Sequence, residues 1–155
     1  LGWDPVTQEG LQVGNFESLD DGRFFGEQLL DEGADIIMPV AGPVGLGTLA
    51  VMQERGTGLL IGVDNDWSVA NPDKADFVLA SALKKIDVFV FDSIKQVVDG
   101  MFAGGAPYLL TLENEGVGLQ LGSAWASQVP ADLLAEIEAL IPGIIDGSIA
   151  TVPAR

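Results

Sequence analysis

The chain has no cysteine and no histidine among its 155 residues. The first absence removes disulfides, thiol nucleophiles and cysteine-based zinc sites. The second removes the usual general base of a serine–histidine–aspartate triad. Catalysis would have to rest on Asp, Glu, Lys or Tyr. Basic residues are also scarce, with 7 Lys+Arg against 23 Asp+Glu and a formal net charge of −16. That balance argues against nucleic acid as a partner, because phosphate recognition needs a basic face. It also argues against docking on anionic lipid. No apolar run reaches the roughly 18 to 20 residues of a membrane span. The first residue is Leu1 and no signal peptide precedes it, so the chain is expected to be a mature or truncated piece of something longer.

What is present suits one domain with a real core, since 48% of the residues are apolar. Strand-like and helix-like segments alternate. Leu11–Phe16, Asp35–Val40, Leu59–Val63, Phe77–Leu83 and Gly116–Gly122 read as short strands. Between them, a helix is expected after Ser18 or Asp20, with Gly33 as its stop and Phe24, Phe25, Leu29 and Leu30 as its apolar stripe. A second helix follows the glycine turn at 42–47 and ends at Gly56. A third carries Ile86, Val90, Ile94, Val97 and Met101 at three- to four-residue spacing. The last starts near Pro130 and is ended or kinked by Pro142. This order indicates βαβ units and a parallel sheet. In such sheets, ligands sit beyond the carboxyl ends of the strands.

Four features lie at those ends. "AGPVGLGT", Ala41 to Thr48, joins a strand to a helix N-terminus and offers free backbone N–H groups. It is not a P-loop, because Thr48 stands where Lys is needed, and its glycines run in the wrong order for a dinucleotide fingerprint. "VDNDW", Val63 to Trp67, puts Asp64 and Asp66 just past an apolar strand. It is not a calcium loop, because Val69 takes the place of the obligatory glycine. An ionised carboxylate only accepts hydrogen bonds, so it suits a cis-diol that donates twice. Turn formation without a ligand is the plainer account of both acids. An enzyme using Asp64 and Asp66 on a metal, or as acid and base, is the alternative. Lys84 and Lys85 follow a strand, where a helix dipole disfavours cations, unless one meets a ligand or an acid such as Asp64. Phe16, Trp3 and Trp67 lie beside turns; core packing explains each, and Phe16 has the best claim to stacking on a planar ligand.

In this order and spacing, "GADIIMPVAGPVGLG", "IGVDNDW", "VLASALKKIDVFVFDSI" and "EGVGLQLG" resemble the basic membrane protein family. These are solute-binding lipoproteins of ABC importers, whose characterised members bind purine nucleosides. The resemblance runs from Leu11 to Pro153 and includes the closing helix and tail. It implies an α/β type I periplasmic-binding fold of two lobes. Residues 1–155 would be the C-terminal half, mostly the second lobe with segments that cross the hinge, and the N-terminal lobe would be missing. It further implies an extracytoplasmic, lipid-anchored receptor with a membrane permease as partner, no cofactor and no enzymatic step. Carried over by position, Asp64 would accept from the ribose hydroxyls and Lys84 would reach the same hydroxyls. Gly42 and Gly45 would offer backbone contacts, and Phe16 would cover one face of the base. Trp67, where the family usually has Gln, and Pro43, which removes an N–H from the glycine turn, are departures.

Overall fold

The computed structural model describes residues 1–105 and 107–151. A short antiparallel hairpin, β1 (Trp3–Asp4) with β2 (Glu9–Gly10), opens the chain. A four-stranded sheet follows in the order β3-β4-β5-β6. Its strands are β3 (Ile36–Ile37), β4 (Leu59–Asp64), β5 (Val78–Lys84) and β6 (Val117–Leu121). The first three run parallel, and β6 is antiparallel to β5, with Lys84 opposite Val117. The sheet is thus mainly parallel, as expected, with one antiparallel strand at its edge.

The helices are α1 (Leu19–Asp31), α2 (Gly45–Arg55), α3 (Trp67–Ala70), α4 (Ile86–Val98) and α5 (Ala131–Ile145). Ser18 caps α1, its side chain accepting from Asp21 N–H at 3.1 Å, and Asp20 and Asp21 complement the helix dipole in the first turn. Gly56 ends α2 in a left-handed conformation, φ 63°. Pro142 does not end α5, which continues to Ile145.

The core lies where α2 crosses the sheet. Leu49 and Met52 of α2 pack with Ile37, Leu60, Val78 and Trp67. Leu29 and Leu30 of α1 join from the side, as the expected stripe requires. Phe24 does not: it is exposed and stacks edge-on against Phe25. The reason is that α1 meets α2 through small residues, its buried positions being Gly22 and Gly26. Thr48 Oγ1 donates to Gly22 O across this contact at 2.9 Å.

Two expected strands shrink. Asp35–Val40 pairs only through Ile36 and Ile37, because Pro39 has no N–H to give to a ladder. Leu11–Phe16 forms no strand; Gly14 turns it at φ 80°, and Leu11 and Val13 line a cavity instead. α4 and α5 contain no buried residue at all. The predicted apolar stripe of α4 exists, with Ile86, Val90, Ile94 and Val97 in register, but it faces solvent in this chain. Met101 lies beyond the helix end, and Val152 and Pro153, which close the family resemblance, lie outside the described residues.

Candidate functional site

The parallel strands β3, β4 and β5 deliver their carboxyl ends to one edge of the sheet. β4 ends at Asp64, which is in register with Leu83, so Lys84 follows immediately beside it. Lys84 Nζ lies 2.8 Å from Asp64 Oδ1. This supplies the acid that the charge argument requires for a cation at the entrance to α4. The contact is ionic rather than directional: Oδ1 is shielded from solvent and has no hydrogen-bond partner. The two side chains as a whole stay open, 45% exposed for Asp64 and 63% for Lys84.

The two aspartates, alike in sequence, are used differently. Asp66 caps α3, its Oδ1 accepting from Ser68 N at 2.9 Å and from Ser68 Oγ at 2.7 Å. Its acceptor capacity is taken up locally, as in an ordinary Asx turn. Among the described residues, no group of three or more acidic side chains is placed to hold a metal.

β3 leads into the glycine turn. Gly42 opens a 3-10 turn at φ 58°, a region that glycine enters without steric cost. A Cβ there would meet only Phe16 O, at 3.9 Å, which places the Phe16 segment over the turn. Phe16 itself is 71% exposed. Its loop is shaped by Asn15, whose Oδ1 accepts from Ser18 N at 2.8 Å and whose Nδ2 donates to Asp21 at 2.7 Å. Gly45 is buried, and its N–H is already directed at Gly42 O and Pro43 O. A Cβ on Gly45 would stand 2.7 Å from Pro39 and from the Trp67 ring, so close packing selects glycine there. Gly42 and Gly45 thus sit on one turn with the Phe16 segment over it, and Asp64 and Lys84 sit on the neighbouring strand ends.

Trp3 is exposed on the β1–β2 hairpin, whereas Trp67 is core, only 5% exposed. Composition and spacing gave no sign of its second role. Its indole fills the space between Gly45 and Gly62, where a Cβ would come within 2.5 Å of the ring. The glycine that breaks the apolar run "LLIGV" was the available signal.

A cavity of about 1070 Å³ lies between the N-terminal segment, α1 and β3. Trp3, Leu11, Phe25, Ile36 and Met38 line it, and it reaches Phe16 but neither Asp64 nor Lys84. Its apolar walls offer little to a polar solute, so the site is assigned by the open carboxylate and not by this volume. Among the described residues, no helix is long and apolar enough to cross a membrane.

The model of the PnrA-like ABC transporter substrate-binding proteins matches residues 11–146. Basic membrane protein D of Borreliella burgdorferi (strain JD1) is 34% identical over 111 residues, which are 70% of this chain and 32% of that protein. The ABC transporter nucleoside-binding protein BmpA of Lactococcus lactis subsp. cremoris (strain MG1363) is 30% identical over 156 residues, 92% of this chain and 43% of that one. The crystal structure of an ABC transporter system solute-binding protein from Aeropyrum pernix K1 superposes with a TM-score of 0.72 at 26% identity, covering 92% of this chain and 47% of that one. The chain spans less than half the length of each. The α/β architecture with a mainly parallel sheet agrees with these matches, and the chain belongs to the family of PnrA-like ABC transporter substrate-binding proteins.

Proposed function

We propose that this chain is the C-terminal portion of the solute-binding component of an ABC importer, binding a purine nucleoside in a cleft between two lobes. The observation that carries this reading is the Asp64 carboxylate, half exposed and 2.8 Å from Lys84 Nζ, at the ends of parallel strands. Such an acceptor suits the two adjacent hydroxyls of a ribose, each of which has a proton to donate. Lys84 then donates to the same hydroxyl oxygens. Gly42 brings backbone close to the sugar, with Gly45 behind it, and exposed Phe16 covers one face of the base. Residues 1–155 supply mostly one lobe, with hinge-crossing segments. The unburied apolar faces of α4 and α5, and relatives about twice as long, support a missing N-terminal lobe that covers them.

Each lobe contributes contacts to one ligand, so binding closes the cleft and no bond is made or broken. The partners are the solute and a membrane permease. The protein works outside the cytoplasm, lipid-anchored through sequence ahead of Leu1. The test is calorimetric titration of the complete receptor with adenosine, guanosine, inosine and ribose, with and without EDTA. Nucleoside binding that is unchanged by the chelator is expected. Half a cleft forfeits the other half's contacts, so the 155-residue chain alone should bind far more weakly. Binding to none of the four, or only with a divalent metal, overturns the reading and returns the enzyme alternative at Asp64.

A further inference from the structure

Among the described residues, Asp64 is one of three non-glycine residues with positive φ, at 73°. Asn65 N–H donates to Val63 O at 2.9 Å, closing a three-residue turn with Asp64 at its centre. With that sign of φ, the turn is the rare, strained form. Such strain survives only where the surroundings over-determine it, and it collects at functional sites. The source of the constraint is visible. The indole Nε1–H of Trp67 donates to the same Val63 O, at 2.9 Å. Two protons therefore converge on the carbonyl that opens the turn. The ring has little freedom to leave, because it is wedged between Gly45 and Gly62. Its backbone N–H is tied to Ser81 Oγ on β5 at 3.1 Å.

We propose that Trp67 is the positioning residue of the Asp64 carboxylate, an inference that rests on the nucleoside reading above. An aspartate at a strand end ordinarily folds back onto nearby backbone N–H groups. Asp66 does so two residues later, with Ser68 and Val69. Asp64 Oδ1 takes no such bond and instead faces Lys84 Nζ, because the turn clamped by the indole turns the side chain toward β5. The exposed part of the carboxylate is left for a solute. The far edge of the same ring abuts Gly45, so one rigid side chain also sets the spacing between the acid and the glycine turn. Trp67 thereby selects for a sugar that presents both hydroxyls at that spacing.

Trp67→Phe tests this, because it keeps a ring and deletes the N–H. Titration of the complete receptor should show ribonucleoside affinity falling about tenfold. Affinity for the matching 2′-deoxyribonucleoside should change by less than about threefold, because that ligand has already lost one of the two donors. Hydrogen exchange at the Asn65 amide should speed up in the variant. A purely structural tryptophan would weaken both ligands alike, and an unchanged ratio with unchanged Asn65 exchange overturns the proposal. If the unaltered receptor binds neither nucleoside, the functional reading fails, and Asn65 exchange still decides the positioning role. If the variant does not fold, the wild-type protein decides. Slow exchange of both the Trp67 indole proton and the Asn65 amide supports the clamp, and rapid exchange of either removes it.

Discussion

Asp64→Ala is expected to lower the nucleoside affinity of the complete receptor by on the order of a hundredfold or more. Two hydroxyls donate to one carboxylate, and a hydrogen bond to a charged group contributes about 1.5–3 kcal/mol. Even partial loss of both reaches that factor. The loss is compounded at Lys84, which would keep its charge at the site without the acid 2.8 Å away. Asp64→Asn separates geometry from charge. Asn tolerates the left-handed backbone as Asp does, and it keeps one acceptor oxygen. A loss of about tenfold is expected for it, the value of one charge-assisted bond reduced to a neutral one. Ala, by contrast, must adopt φ 73° at a cost of about 1–2 kcal/mol in stability. Calorimetric affinity and thermal midpoints of both variants check this pair of effects. Binding by the Ala variant within about threefold of the wild type would remove Asp64 from the site.

Gly47→Ala is expected to damage the fold strongly. The added Cβ would lie 2.1 Å from Leu19 O and 2.7 Å from Arg23 N. Both are backbone atoms of α1, so no side chain can turn aside, and the helices must separate. Overpacking of this kind costs about 1–3 kcal/mol and occasionally more. The better helix propensity of Ala returns about 1 kcal/mol at most. A net loss of about 2 kcal/mol should appear as a lower denaturant midpoint with the slope unchanged. The displacement also reaches function, because α2 starts at Gly45 and carries the glycine turn with it. Nucleoside affinity should fall together with stability. A variant as stable as the wild type would mean that the α1–α2 contact is looser than these distances.

The same contact shows why some of the fold was legible in the sequence and some was not. α2, β4 and β5 combine periodicity with clear stops, and they appear where the sequence placed them. The packing face of α1 was misjudged at Phe24 because large apolar residues were assumed to make helix contacts. Here the contact surface is glycine, whose contribution is the closeness it allows. The direction of β6 could not be read, because alternation along a strand carries no information about the direction of its neighbour. The apolar stripe of α4 was read correctly from its spacing, but spacing does not say what covers it. At the site, the strand-end position of Asp64 was legible from the fold rule alone. Its difference from Asp66 was not, since that depends on which carboxylate finds backbone donors. Trp67 read as an ordinary core aromatic; its clamp on the turn depends on a single proton aimed at Val63 O.

The bare faces of α4 and α5 also govern how this 155-residue chain behaves by itself. Val90, Ile94 and Val97 on one helix, and Leu133, Leu140 and Ile145 on the other, meet water here. Any second molecule that covers them binds the folded state and shifts its unfolding equilibrium by mass action. The melting temperature of the isolated chain should therefore climb with protein concentration. If the proposed N-terminal lobe covers these faces from the same polypeptide, dilution should leave the melting temperature of the complete receptor unchanged. A concentration series on the two forms measures how much of the fold's stability is supplied from outside these residues.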